Sequence, residues 1–250
     1  MSDRRLLVLW DVDHTLIENA GVSKKNYATA FELLTGRRPE RPARTDGRTD
    51  PEIMRGLLLD NAADPGTFTE RELRIALAEA MKRNVYELLR RGSMLPGVAE
   101  TLTTLSEIDL VVQSVLTGNI EPNAATKLRL LGESLSALDL EVGGYGSDAP
   151  VRASLVRIAQ AKATRKYGYE FGPSDTVLVG DTERDVEAAL NGGALVIGVA
   201  TGHASEDELS AAGAHATVAD LTDPRAVVET LAKVTGIELH ARPTSVDSEG

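Results

Sequence analysis

The stretch LLVLWDVDHTL, residues 6 to 16, decides the fold of this chain. Its first five residues are apolar without polar alternation, which is typical of a strand buried on both faces in a parallel sheet covered by helices. The apolar run stops at Asp11. Because the ligand crevice of an open parallel sheet lies beyond the carboxyl ends of its strands, Asp11 is expected where a carboxylate can reach a ligand.

A second acid, Asp13, follows Asp11 after a single residue. A lone Asp after a strand commonly caps a turn, and this is the simpler interpretation of either acid alone. Side chains at i and i+2 of an extended segment share a direction, however, and two carboxylates held together repel each other unless a cation or a proton intervenes. The pair therefore indicates metal binding or proton transfer.

The run from Asp11 to Thr15 resembles the DxDxT signature of the haloacid dehalogenase superfamily. Phosphatases of that family attack a phosphoryl group with the first Asp and use the second as acid and base, which implies these roles for Asp11 and Asp13. The family usually has Gly before the Thr, whereas this chain has His14. We interpret His14 as a tolerated variant that packs locally rather than as a catalytic base.

Composition excludes several classes of function. The net charge of −11, from 27 Lys and Arg against 38 Asp and Glu, disfavours attraction to nucleic acid and to anionic membranes. The absence of Cys excludes disulfides, thiol nucleophiles and thiolate metal sites. No stretch approaches the roughly 20 apolar residues of a membrane span. We expect a cytoplasmic monomer or small homo-oligomer that acts on a small molecule, without nucleic-acid or membrane partners.

The pattern between residues 19 and 92 is helical, with apolar residues at spacings of three and four. This insert resembles the C1-type cap of the superfamily, a lid that closes over the active site and selects the substrate. From Pro96 onward helices alternate with strand-like runs at 110–116, 140–142, 176–179 and 195–199, which is typical of βαβ units. We therefore predict an α/β fold: a Rossmann-like parallel sheet core (1–18 and 93–240) with an inserted helical cap domain (19–92) and a disordered tail (241–250).

A strand-end hydroxyl is the second candidate motif. Thr117 follows the apolar run 110–116 and precedes Gly118 and Asn119. Alone, Thr117 is most simply a helix N-cap. Its position resembles the family's second motif, in which the hydroxyl and the following backbone N–H groups bind phosphate oxygens, so the resemblance implies a phosphate-binding role for all three residues. A hydroxyl beside free amides of a helix N-terminus suits an anion.

The third motif of the family is a basic residue, usually Lys at the start of a later helix, that faces the nucleophile and the phosphoryl group. Arg152 is the positional match, because it begins a predicted helix after the turn 143–147. Arg offers a two-pronged fork to phosphate where Lys offers a point charge. Lys127 is the competing candidate, although its place inside a predicted helix favours a solvated surface residue.

The fourth motif contributes two further acids. Asp181 and Asp185 follow an apolar run in a pattern that resembles the family's GDxxxD motif, and they lie one helical turn apart, so they can converge on one cation. Helix capping is the alternative for Asp181. Oxygen ligands without Cys favour Mg²⁺. By analogy with the family, the metal would be held by the Asp11 side chain, the Asp13 backbone carbonyl and Asp181, with Asp185 as a further candidate.

Together the four motifs imply a Mg²⁺-dependent phosphomonoester hydrolase that acts on a small phosphorylated metabolite through an aspartyl-phosphate. Members similar to phosphoglycolate phosphatase share the cap type, so 2-phosphoglycolate is the first compound to test. A phosphoglucomutase-like phosphoryl transferase is the alternative within the family, and a non-hydrolytic phospho-accepting signalling module is the alternative outside it. A NAD-binding function has no support, because no Gly-x-Gly-x-x-Gly follows the first strand.

Five arginines fall close together in the predicted cap, at positions 37, 38, 41, 44 and 48. One interpretation is a solvated loop between two cap helices, since Pro39, Pro42 and Gly47 mark irregular backbone. The other is that Arg48, with Thr49 beside it, faces the active site and binds an anionic group of the substrate. A lid must recognise what distinguishes one phosphate ester from another, and a second anion would favour an Arg fork.

Overall fold

The computed structural model describes residues 4–45 and 47–240. The predicted disordered tail, 241–250, lies outside the described residues. None of the helices in this part of the chain combines the length and the hydropathy needed to cross a membrane.

A six-stranded parallel sheet and a two-stranded antiparallel ribbon are formed by the described residues. In chain order the strands are β1 (Leu6–Trp10), β2 (Ile17–Glu18), β3 (Ser93–Met94), β4 (Val111–Thr117), β5 (Gly144–Tyr145), β6 (Thr176–Gly180), β7 (Leu195–Val199) and β8 (Ala216–Val218). The sheet has the order β5-β4-β1-β6-β7-β8. β1 is thus a central strand with a parallel neighbour on each side, and all its residues are buried, as its apolar run predicts.

The helices fall into two groups. They are α1 (Val22–Thr35), α2 (Asp50–Asp60), α3 (Glu70–Arg91), α4 (Val98–Ser106), α5 (Glu121–Leu131), α6 (Arg152–Tyr167), α7 (Glu183–Gly192), α8 (Glu206–Ala211) and α9 (Pro224–Thr235). α1 to α3 lie between the two strands of the ribbon, and the others alternate with strands of the sheet. The predicted α/β class with a helical insert is confirmed.

Residues of β1 pack alternately on the two faces of the sheet. Leu6, Val8 and Trp10 belong to one apolar cluster, which includes residues of α4, α5 and α9. Leu7 and Leu9 belong to a second cluster, with residues of α6 and α7. Helices therefore cover both faces, and the carboxyl end of β1 is the edge at which a polar group can meet a ligand.

The insert has an apolar core of its own. Tyr27 and Phe31 of α1, Leu57 of α2 and Leu77 of α3 are buried together in it. α3 begins at a capping box, in which the Thr69 side chain and that of Glu72 each bond the other residue's backbone N–H. The antiparallel ribbon pairs Glu18 with Ser93, so the insert leaves and rejoins the sheet domain at one place.

One local expectation for the sheet domain is wrong, and one strand was missed. The run 140–142, predicted to be strand-like, forms a 3₁₀ turn, and the strand is Gly144–Tyr145 instead. The Asp139 side chain accepts a hydrogen bond from the Glu141 N–H, which stabilises the turn. β8, an edge strand of three half-buried residues, was not predicted, because so short a segment carries little periodicity.

Candidate active site

Asp11 and Asp13 lie directly beyond the carboxyl end of β1. The Asp11 N–H donates to the Val179 carbonyl at 2.8 Å, which continues the pairing of β1 with β6 by one residue. The chain then turns through His14, whose φ of 64° is left-handed. Glycine adopts this conformation most easily, which gives a reason for the family's usual Gly at this place.

The His14 side chain makes local contacts at the edge of the site. It is 39% exposed, and Nδ1 lies 3.2 Å from Oε2 of Glu18. Its ring centroid is 6.2 Å from that of His203, and both rings line the cavity described below. The turn positions the His14 ring at the wall of the site.

Three carboxylates meet at the end of β1. Oxygen atoms of Asp11, Asp181 and Asp185 lie within 4.8 Å of one another, and all three residues are buried. Asp181 follows β6, and Oδ1 of Asp181 accepts a hydrogen bond from the Thr15 hydroxyl at 3.0 Å. Gly202 approaches the same carboxylate so closely that a Cβ there would overlap it.

The negative charges of the Asp11 and Asp181 carboxylates are only partly balanced by nearby positive charge. Burial raises the pKa of Asp11 to about 7, against the Arg152 guanidinium and with the help of the Asp185 and Asp13 carboxylates. Burial also raises the pKa of Asp181 to about 8, to which repulsion from Asp11 and Asp185 contributes. A cation would relieve the repulsion, and oxygen ligands suit Mg²⁺. The donor set therefore fits the metal that the family resemblance implies.

Arg152 joins two of these acids from the start of α6. Nη2 donates to Oδ1 of Asp11 at 2.8 Å and to Oδ1 of Asp185 at 2.6 Å, while Nη1 donates to the Gly47 carbonyl at 3.3 Å. Oδ2 of Asp185 accepts from the Thr182 hydroxyl at 2.6 Å. Both oxygens of Asp185 thus accept hydrogen bonds from protein donors. Asp185 therefore orients Arg152 and completes the capping box at the start of α7.

Thr117 ends β4 and is buried. It is not the N-cap of α5, which is Ile120. Oγ1 of Thr117 accepts hydrogen bonds from the Asn119 backbone N–H at 3.2 Å and from its Nδ2 at 2.7 Å. The predicted phosphate-binding residues Thr117, Gly118 and Asn119 all line the cavity.

Lys127 is not the solvated residue that its place inside a helix suggested. Its side chain is 1% exposed, and Nζ lies 2.7 and 2.6 Å from the two oxygens of Asp13. Burial alone would raise the pKa of Asp13, but Lys127 and hydrogen bonds from Asn119 and Asn19 outweigh it and hold the pKa below its usual value. A signal was present in the sequence: Lys127 lies on the apolar stripe of α5 with Ala124 and Leu128.

Asp50, a cap residue that no sequence pattern indicated, holds the loop after β4. The Asp50 N–H donates to the Gly118 carbonyl at 2.7 Å, and the Asp50 carboxylate accepts from the Ile120 N–H at 2.8 Å and from the Tyr27 hydroxyl at 2.6 Å. A Cβ on Gly118 would overlap the Arg48 carbonyl. Cap and sheet domain are therefore in main-chain contact beside Thr117.

A cavity of about 550 Å³ lies between the cap and the carboxyl end of the sheet. Its lining includes the predicted site residues Asp11, Asp13, Arg48, Thr117, Gly118, Asn119, Arg152 and Asp181. Asp185 and Thr49 are not part of the lining. Thr49 is a mistaken substrate candidate, because its side chain is buried and its hydroxyl donates to the Pro150 carbonyl at 3.4 Å.

Of the five clustered arginines, Arg48 is the one in the cavity lining. Its Nε is buried without a hydrogen-bond partner among the described residues, and it lies 3.4 Å from Oε1 of Glu52. Arg37, Arg38, Arg41 and Arg44 are exposed or half-buried, and Arg44 pairs with Asp60 at 3.2 Å. Of these five arginines, Arg48 is therefore the one placed to meet a ligand in the cavity.

Chemically, the site combines a strand-end carboxylate beside a guanidinium, a second carboxylate held by an ammonium, and a hydroxyl followed by backbone amides. A carboxylate nucleophile, a proton carrier and donors for an anion are thus gathered around one cavity.

Comparison with known protein families gives two matches to this sequence. A family model described as haloacid dehalogenase-like hydrolase matches residues 8–190, and a second, HAD-hydrolase-like model matches residues 150–232. No curated protein matches the sequence.

Solved structures share the fold at low sequence identity. A hydrolase from Pseudomonas syringae is 19% identical, with a TM-score of 0.65 over 91% of this chain and 99% of that one. CbbY from Rhodobacter sphaeroides, solved in complex with phosphate, is 18% identical, with a TM-score of 0.65 over 87% and 95%. A putative β-phosphoglucomutase from Bacteroides vulgatus is 18% identical, with a TM-score of 0.61 over 94% and 91%.

Proposed function

Since the chain belongs to the haloacid dehalogenase-like hydrolase family, we propose that it is a Mg²⁺-dependent phosphomonoester hydrolase that forms an aspartyl-phosphate on Asp11. The observation that carries the proposal is the pairing of Asp11 with Arg152 at 2.8 Å on the cavity wall, with Asp13 held two residues further on. A nucleophilic carboxylate and a phosphate-facing guanidinium are what transfer of a phosphoryl group from an ester requires.

Two displacements at phosphorus complete the reaction. Asp11 attacks phosphorus, the bond to the ester oxygen breaks, and Asp13, which takes up a proton from solvent as the anionic phosphate enters beside it, gives that oxygen the proton. Water then attacks the aspartyl-phosphate, Asp13 takes the proton of the water, and Asp11 is regenerated with release of inorganic phosphate. Thr117, the backbone amide of Gly118 and Arg152 bind the phosphoryl oxygens, whereas the Asn119 N–H donates to the Thr117 hydroxyl.

Mg²⁺ would be held by the Asp11 side chain, the Asp13 carbonyl and Asp181, with Asp185 beside them. When bound, the ion supplies positive charge that offsets the repulsion between an anionic nucleophile and an anionic phosphate. Arg152 supplies further positive charge beside the Asp11 carboxylate, because its Nη2 donates to Oδ1 of that residue.

Arg48 suggests the class of substrate. Its buried Nε, which has no hydrogen-bond partner among the described residues and lies 3.4 Å from Oε1 of Glu52, and its place in the cavity lining favour a small phosphorylated metabolite with a second anionic group, such as a carboxylate. 2-Phosphoglycolate has this character and is the first compound to test. The cavity of about 550 Å³ accommodates a molecule of this size.

Phosphoryl transfer between positions of a sugar is the second candidate, because solved structures of similar fold include one titled a putative β-phosphoglucomutase. Asp11 and Asp13 would serve that reaction equally. A phospho-accepting signalling module is disfavoured, because it needs neither a leaving-group acid at Asp13 nor a cap. Dehalogenation is disfavoured because dehalogenases of the family lack the second Asp.

The deciding experiment measures inorganic phosphate released from p-nitrophenyl phosphate in the presence of Mg²⁺. Repeated turnover supports the hydrolase, whereas one stoichiometric phosphorylation of the protein supports a signalling module. A screen of phosphorylated metabolites follows, with isomerisation of sugar phosphates measured alongside phosphate release. If sugar phosphates are isomerised and no inorganic phosphate is released, the protein is a phosphoryl transferase and not a hydrolase.

A further inference from the structure

Lys127 is a buried lysine with an unusually complete set of partners. Besides both oxygens of Asp13, its Nζ lies 2.8 Å from the Ser23 Oγ and 2.8 Å from Oδ1 of Asn119. Lysine is almost never fully buried unless it is paired, and an ammonium has three N–H donors. Three residues accept from these donors, so the charge of Lys127 is committed to Asp13 and its surroundings rather than to a ligand phosphate.

The Asp13 carboxylate is held from several directions. Oδ1 accepts from Nδ2 of Asn19 at 2.8 Å, and Oδ2 accepts from Nδ2 of Asn119 at 2.8 Å. Each oxygen thus has an amide donor in addition to Lys127. Because the partners come from separate segments of the chain, they fix the direction of the carboxylate as well as its location.

The same ammonium connects the sheet domain to the cap. Ser23 lies in the first turn of α1, the first cap helix, whereas Asn119 follows β4 and Asp13 follows β1. Any shift of α1 that moved Ser23 would therefore change the set of acceptors around Lys127. Proton transfer depends on such positions, since a misplacement of about 1 Å can cost about 10²-fold in rate.

We propose, on the basis of the hydrolase function above, that Lys127 is a positioning residue for proton transfer by Asp13, and that it ties the position of that carboxylate to α1. As the bond between phosphorus and the ester oxygen breaks, the proton passes from Asp13 to the departing oxygen. Lys127 takes no part in this proton transfer and touches neither the substrate nor the phosphoryl group.

The test uses aryl phosphates whose leaving groups need a proton to different degrees: 2,4-dinitrophenyl, p-nitrophenyl and phenyl phosphate. kcat/KM is measured for the wild type and for Lys127→Met, because this ratio reports the steps up to departure of the first product. We expect a loss of about 10²-fold for phenyl phosphate and of less than about threefold for the dinitrophenyl ester, which leaves without an acid. An equal loss for all three esters overturns the proposal.

Asp13→Asn, alone and combined with Lys127→Met, tests whether Lys127 acts on the rate through Asp13. If Lys127 acts through Asp13, then Lys127→Met added to Asp13→Asn lowers the rate for phenyl phosphate no further. Additive losses overturn the proposal. Lys166→Met is the control, since Lys166 is likewise an ion-paired lysine, with Asp139 and Glu141, but outside the cavity lining, and it should leave all three rates unchanged.

A folding defect is treated separately. If Lys127→Met does not fold, Ser23→Ala is the second variant: it removes an acceptor of Lys127, together with the longer hydrogen bond of 3.5 Å from Ser23 to Oδ1 of Asp13, and keeps the ion pair. It should show the same graded pattern with a smaller amplitude, and an ungraded pattern overturns the proposal. Failure of the hydrolase function itself has a different signature, because the wild type would then turn over none of the three esters with Mg²⁺.

Discussion

The cap and the sheet domain differ in charge and in what they present to the cavity. Residues 19–92 carry 14 Lys and Arg and 11 Asp and Glu, whereas the rest of the chain carries 13 and 27. The sheet domain gathers its acids at the end of β1, and the cap places Arg48 in the cavity lining. In the proposed function, the sheet domain provides a reaction common to phosphate esters, and the cap provides a means to tell one ester from another.

The largest expected effect falls on the sheet domain. Asp11→Asn, which is nearly isosteric, should abolish turnover of every phosphate ester while the protein stays folded, because an amide cannot attack phosphorus. Phosphate release is measured against wild type, with thermal unfolding as the control for the fold. Turnover close to wild type would end the aspartyl-phosphate mechanism.

Asp13→Asn should have the next largest effect. Turnover of an ester with a poor leaving group should fall by roughly 10² to 10⁴, the usual contribution of a positioned acid and base. Steady-state kinetics with phenyl phosphate measure the loss. An unchanged rate would mean that another group supplies the proton, and the division of roles between Asp11 and Asp13 would be wrong.

A cap substitution should act selectively. Arg48→Ala should raise KM for a substrate with a second anion by roughly 10- to 100-fold, the size of one hydrogen bond to a charged group, and should leave p-nitrophenyl phosphate nearly unchanged. Arg44→Ala is the matched control, because Arg44 pairs with Asp60 and is not part of the cavity lining. Equal effects on both substrates would remove the distinction between cap and sheet domain.

The smallest effect concerns stability. The raised pKa values of Asp11 and Asp181, about 7 and 8, mean that the folded protein keeps protons that the unfolded chain has lost above pH 4. Their contribution to the free energy of unfolding is fully present below pH 4 and is lost as pH rises through 7 to 8.

Metal-free protein should therefore unfold at a lower temperature at pH 8 than at pH 5. Mg²⁺ should raise that temperature more at pH 8 than at pH 5, because the carboxyl groups are deprotonated at pH 8 and can bind the ion. Differential scanning calorimetry with and without Mg²⁺ measures both effects, and Asp181→Asn should weaken the response. A Mg²⁺ effect of equal size at pH 5 and pH 8 would contradict the assignment of the acidic cluster.

The sequence carried more information about the sheet domain than about the contacts across the cavity. β1 is local in sequence, so its apolar run and the acids after it could be predicted from Leu6 to Asp13. Arg152 could be placed at a helix start for the same reason. Lys127 and Asp50 meet their partners over separations of 114 and 70 residues, and no local pattern encodes such a meeting. Thr49 was assigned to the cavity from its neighbour Arg48, although the start of α2 turns the two side chains to different surroundings.

The contact between Asp50 and the loop after β4 limits how far the cap can be treated as a module. By connectivity the cap is an insertion that could be exchanged between relatives at the β2–β3 ribbon. By hydrogen bonding, one cap residue supplies a donor to Gly118 and an acceptor to Ile120. A grafted cap without Asp50 would deprive both groups of these partners, and a core with a side chain at position 118 would collide with the Arg48 carbonyl. Exchange of the cap within this architecture therefore requires the cap and the loop after β4 to be replaced together.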